Sequence, residues 1–196
     1  MMKRNSKPGF IAWLVASVLS PLLACQLVQA GEPVRPLSQR LADAALEAPA
    51  AAQPDGSLYG VPRWNAATGR TYLGMKFPGV LSCAYTVSAI LRKAGHPVGA
   101  LASVRQVDSV LSRWPKISDP DALQPGDVVF WKPRRVPVLG SMCGTVHWHV
   151  GISTGGTRTV DNDWWSGQPQ PNTVSRVCSV FAYARRPAEQ ALSATD

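Results

Sequence analysis

The spacing of apolar residues changes period once along this chain, and that change decides what it can fold into. Up to about residue 114 apolar residues recur three and four positions apart, whereas from residue 123 onward they alternate. In SCAYTVSAILRKAGHP (82–97), Val87, Ile90, Leu91 and Ala94 make one stripe of a helix that Ser82 can cap, that begins at Cys83, and that Gly95 and Pro97 end. A second helix is predicted over 104–114, with Val104, Val107, Val110, Leu111 and Trp114 on one side, and a short one over LSQRLADAALE (37–47). The Ala- and Pro-rich APAAAQPDGS that follows reads as a linker. LQPGDVVFWK (123–132) is a Pro-Gly turn leading into a strand, HWHVGIST (147–154) a second strand, TRTVDN (157–162) a third and TVSRVCSVFAYARR (173–186) a fourth. Helices first and antiparallel strands after them predict an α+β fold, with N-terminal helices packed on one side of an antiparallel β-sheet.

The first thirty residues stand apart from this pattern. Lys3, Arg4 and Lys7 precede an apolar stretch from Phe10 to Cys25, and Val28-Gln29-Ala30 come before Gly31, the three-part layout of a cleaved secretory signal peptide. Leu22-Leu23-Ala24-Cys25 also resembles a lipoprotein processing box, which leaves a lipid anchor at Cys25 open. Pro21 and the shortness of the apolar run argue against an uncleaved membrane span. Residues 31–196 are enough for one domain with a full core. Without Lys3, Arg4 and Lys7 the formal charge falls from +8 to about +5. That mild excess, with no Lys/Arg-rich run or aromatic RNA-binding signature, does not indicate nucleic acid. In an exported protein, periplasmic or secreted, it suits an anionic surface such as cell wall or phospholipid.

Loss or lipidation of Cys25 leaves Cys83, Cys143 and Cys178, an odd number that suggests one bridge and one free thiol in an oxidising compartment. Cys83 falls in the first turn of its helix, where unpaired N–H groups and the helix dipole favour thiolate over thiol. A buried small residue is the ordinary alternative at such a position. The histidines of HWHVGI (147–152) share one face of a strand, so His147 and His149 are open to three readings: a metal pair, a catalytic base with a bystander, or ordinary strand residues.

Cys83 opening a helix, then LQPGDVVFW, HVGISTGG and FAYARR, resemble in order and spacing the motifs of the NlpC-like cell-wall cysteine peptidases, with CHAP-type amidases as close relatives in the same papain-like group. The resemblance covers about residues 57–187, leaving 31–56 as an N-terminal extension and linker and 188–196 as a tail. It implies a papain-like domain with Cys83 as nucleophile, His149 as general base and Asp161, twelve positions on, as the residue that orients the imidazole. Asn162 and Asp163 are the alternatives for that third place. It also implies peptidoglycan stem peptides as substrate, no cofactor or metal, and a monomer. Tyr72 is similar to the family's pocket-lining tyrosine. Ser82 and Trp164 are further candidates for substrate contact.

Such a set makes chemical sense, because a thiol needs a base to activate it and the base needs an acceptor on its other nitrogen to fix its tautomer. The chain departs from the family in having Ser82 where an acidic residue precedes the nucleophile, and Ala84-Tyr85 where Ser-Gly follows it. That departure points away from a strict need for an exposed N-terminal amine in the substrate and leaves amidase or cross-link cleavage open. With Cys83 so assigned, Cys143 and Cys178 form the expected bridge, closing a loop worth about 3–4 kcal/mol; a Cys83–Cys143 link is the alternative. Two other functions stay open: a metal-dependent hydrolase using His147, His149 and Asp161 or Asp163, and a catalytically silent wall-binding domain.

Overall fold

A computed structural model of the chain describes residues 35–55, 57–61, 82–134, 148–163, 166–176 and 178–188, with 70–72 and 75–77 described as backbone. The expected signal peptide with Cys25, and also Cys143, His147 and Trp164, lie outside the described residues.

The fold is α+β. Helix α1 (Leu37–Ala51) is followed by a two-stranded antiparallel pair, β1 (Arg70–Tyr72) and β2 (Met75–Phe77). Then come α2 (Cys83–Lys93), α3 (Val104–Val110) and β3 (Lys116–Ile117), and after a 3-10 turn at Pro120–Ala122 the strands β4 (Val128–Pro133), β5 (His149–Gly155), β6 (Arg158–Asn162), β7 (Pro169–Thr173) and β8 (Ser179–Arg185). The last six strands form one antiparallel sheet in the order β3-β8-β4-β5-β6-β7. Among the described residues no helix is long and apolar enough to cross a membrane.

Alternation sorts the sheet's side chains onto two faces. Val128, Phe130, Val150, Ile152 and Val160 meet α1 and α2 in the main core, with Leu41, Ala45, Ala48, Val87, Ile90 and Leu91. Val129, Trp131 and Ala184 form a smaller cluster on the other face with Leu123 and Val174. The stripe read from α2 understates its burial: every residue from Cys83 to Leu91 is buried, because α1 and the sheet cover what the stripe alone would leave exposed. Gly95 ends the helix at φ 85°, the left-handed cap expected of it.

The structure corrects four expectations. Helix α1 does not stop at Glu47 and is not a detached extension: it runs through Pro49 to Ala51, and Leu41, Ala44, Ala45 and Ala48 are core residues. Pro49 removes one N–H from the ladder, but beyond it Ala52 N–H still donates to Ala48 O at 3.1 Å. The boundary expected at residue 57 therefore moves to about Arg35. Helix α3 is shorter than 104–114; Leu111 and Trp114 are buried from the turn beyond it, and Val110 is exposed. The strand expected over 173–186 is confined to Ser179–Arg185, because Thr173 ends β7 at one edge of the sheet and β8 lies beside β4. Strand β7 carries Pro169 and Pro171, which hides it from an alternation pattern but suits an edge strand.

The PGD turn has a packing role. At Gly126, φ is 89° and an added Cβ would stand 2.2 Å from the backbone oxygen of Ser38, so α1 is seated directly against this turn. Asp127 is buried and takes two hydrogen bonds from Arg186, Nε to Oδ1 at 3.0 Å and Nη2 to Oδ2 at 2.9 Å. This fork ties the start of β4 to the end of β8, joining the PGD and FAYARR stretches.

Candidate active site

Cys83 is the first residue of α2 and His149 the first of β5, and α2 packs on β5 and β6. The helix starts here because Ser82 is already helical, at φ −84° and ψ 0°, and its carbonyl accepts from Thr86 N–H at 2.8 Å. The capping expectation for Ser82 is not met: its hydroxyl makes no capping bond and is buried without a hydrogen-bond partner among the described residues. Being wholly buried, Ser82 also presents no surface to a substrate. Three positions on, Tyr85 has a packing role, its hydroxyl donating to Val61 O and accepting from Leu58 N–H at 3.2 Å.

His149 stands opposite Trp131 of β4, and Asp161 of β6 stands opposite Gly151. Paired residues share a face, so His149, Gly151, Asp161 and Trp131 all project from the same side of the sheet. Asp161 reaches diagonally across Gly151, and its Oδ1 lies 2.9 Å from Nε2 of His149. Gly151 has to be glycine for that reach, since a Cβ there would meet the Asp161 Cβ at 2.6 Å. This is the physical content of the glycine in HVGI.

The Cys83 side chain also acts on the imidazole, favouring its charged form. Because Nε2 is given to Asp161, Nδ1 is the ring atom left for the thiol. Burial of the ring pushes its pKa down, but the hydrogen bonds to Asp161 and Cys83 and their charges push it up further, to about 9. Near neutral pH the ring is therefore held as imidazolium beside Asp161. Cys83 is a free thiol at the buried foot of the site, and the His149 side chain keeps 18% of its surface open to solvent.

Asp161 is fully buried and bonded through both oxygens. Oδ1 faces His149; Oδ2 accepts from Thr159 Oγ1 at 3.3 Å and from Arg176. Nothing in the sequence pattern singled out Arg176, which belongs to the connection misread as strand. Its guanidinium lies 4.5 Å from the centroid of Trp131, itself buried and tilted against the His149 ring at 5.6 Å. Asn162 faces α2 instead, where its Oδ1 accepts from Thr86 Oγ1 at 3.3 Å. Asp163 lies past the end of β6, its carboxylate accepting from Ser166 N–H at 2.7 Å. Of the three candidates for the orienting place, Asp161 is the one bonded to His149.

Tyr72 ends β1. Cys178 is disulfide-bonded and Cys83 is not, so the alternative link between Cys83 and Cys143 is absent; Cys143 itself lies outside the described residues. His96 packs near Trp114, ring centroids 5.0 Å apart. Among the described residues no group of three His, Cys, Asp or Glu side chains is placed to hold a metal ion. No family model and no curated protein matches this chain.

Proposed function

We propose that the protein is an exported cysteine hydrolase of the papain-like, NlpC-like kind that cleaves amide bonds of peptidoglycan, as a stem-peptide endopeptidase or an amidase. One observation carries the reading: a single imidazole is bonded through Nε2 to Asp161 and interacts with the thiol that opens α2. The order of the PGD, HVGI and FAYARR stretches supports it.

Attack requires the thiolate of Cys83 beside the His149 imidazolium. The sulfur attacks the scissile carbonyl, whose oxygen takes up negative charge beside the N-terminal N–H groups of α2. The C–N bond then breaks, and the leaving amine takes the proton from His149, leaving a thioester on Cys83 and a neutral imidazole. Water enters, His149 takes one of its protons, and the hydroxide attacks the thioester. The acid leaves and the thiolate–imidazolium pair returns. Asp161 keeps the ring in one tautomer and orientation throughout.

The metal-hydrolase reading draws no support from these atoms, because Nε2 of His149 and both oxygens of Asp161 are engaged within the protein. The test is digestion of purified peptidoglycan by the protein lacking residues 1–30, with fragments weighed by mass spectrometry. Wild type is expected to release fragments cut at one amide bond, iodoacetamide to stop it and EDTA to leave it unchanged. Cys83→Ala should release nothing at an unchanged circular dichroism spectrum. A Cys83→Ala protein that still digests the wall ends the cysteine reading.

A further inference from the structure

We propose that Arg176 is a positioning residue of this hydrolase, supplying the counter-charge to Asp161 while His149 gains and releases the reaction's proton. The inference rests on the hydrolytic reading above and extends its machinery to a fourth side chain.

Three observations place Arg176 for this task. Its Nη2 donates to the Asp161 oxygen that His149 does not use. Its guanidinium is laid over Trp131, a fully buried ring fixed by its own Nε1 donating to Val174 O at 2.8 Å. Val174 N–H in turn donates to Thr157 O at 2.9 Å, so the stretch that delivers Arg176 is pinned at both its side and its base. The Arg176 side chain is only 17% exposed, and its Nε is buried without a hydrogen-bond partner among the described residues, which leaves Asp161 as its one ion-pair partner there.

The chemistry needs such a charge. With Cys83 as thiolate and His149 as imidazolium, the four side chains Cys83, His149, Asp161 and Arg176 sum to zero. Once the leaving amine has taken the proton, the thioester and the imidazole are neutral, and Asp161 with Arg176 again sums to zero. Without Arg176 that step would strand a lone carboxylate in a fully buried place. The imidazolium would then keep its proton instead of giving it up. Among the described residues the groups facing His149 are Cys83 from α2, Asp161 from β6 and the uncharged Trp131 from β4, so Arg176 acts on the ring through Asp161.

Two variants of the protein lacking residues 1–30 separate charge from shape: Arg176→Gln keeps a hydrogen-bond donor without charge, and Arg176→Lys keeps the charge. Two readouts serve. The first is the rate of Cys83 alkylation by iodoacetamide against pH, located by peptide mass, whose upper step marks loss of the His149 proton. The second is wall digestion, resolved into kcat and KM. Arg176→Gln is expected to move the upper step to higher pH by about one pH unit, tenfold in proton affinity, and to lower kcat at least tenfold with little change in KM. Arg176→Lys should return both close to wild type. A Gln variant with an unmoved step overturns the proposal, whether or not kcat falls. If the Gln variant does not fold, a folded Lys variant with a displaced step overturns it and one with the wild-type step supports it. Alkylation needs no substrate, so a wild type that digests no wall refutes the hydrolase reading while the step still judges the link from Arg176 to His149.

Discussion

Replacing Gly151 by alanine is expected to disable the site without altering any reacting atom. The added Cβ would lie 2.6 Å from the Cβ of Asp161, 2.9 Å from the Val160 carbonyl oxygen and 3.3 Å from Cζ3 of Trp131. Carbon atoms rest at about 3.5–4.0 Å, so Asp161 must withdraw by about 1 Å. Its 2.9 Å contact with His149 Nε2 would then open to about 3.9 Å, beyond hydrogen-bonding range. Overpacking of this kind costs about 1–3 kcal/mol of stability. A displacement of about 1 Å in a catalytic group costs on the order of a hundredfold in rate. The backbone at Gly151 is not left-handed, so the effect is steric alone. The assay pairs wall-digestion rates with urea unfolding followed by circular dichroism. An alanine variant with wild-type kcat and an unshifted urea midpoint would refute the claim that Gly151 exists to let Asp161 pass.

Three further outcomes are expected. Because His149 titrates near 9 in the folded protein against 6.5 unfolded, its charged form contributes about 3 kcal/mol; this contribution is fully present below pH 6.5 and is lost as pH rises to about 9. The gap in urea midpoint between wild type and His149→Gln should therefore shrink over that window, and a gap constant from pH 6 to 10 would contradict it. Asp161→Asn should lower kcat by orders of magnitude while Asn162→Ala leaves kcat within a few fold, since Asn162 meets Thr86 and not His149; equal losses in a kinetic comparison would reassign the orienting residue. Arg186→Leu should lose about 3–5 kcal/mol by stranding the buried Asp127 carboxylate, and a loss below 1 kcal/mol in urea unfolding would show the fork to be idle.

Much of the arrangement was legible because its signals are local. The stripe and end signals of SCAYTVSAILRKAGHP place Cys83 at the start of a helix, and the two-residue period of HVGI and TRTVDN puts His149 and Asp161 on a common face, as the pairing Gly151–Asp161 bears out. What escaped depends on partners distant in the chain. Burial of Ala48 carries α1 through Pro49, a residue that by itself signals a stop. An edge place in the sheet permits two prolines in β7, which no alternation pattern would reveal. Arg176 owes its place to the crossing from β7 to β8; in sequence it is an arginine between Ser175 and Val177, with nothing to tie it to a carboxylate fifteen positions earlier.

The seating of α1 has a consequence for how the protein can be switched. A pro-segment that masks a cleft can be clipped away to release activity, but residues 37–51 fill the centre of the fold and lie against the turn at Gly126. A protease that cuts between Leu37 and Ala51 would remove core from beneath β5, the strand that presents His149. Proteolysis in this stretch is thus a way to silence the protein, and an N-terminal trim that spares the core must stop before Leu37.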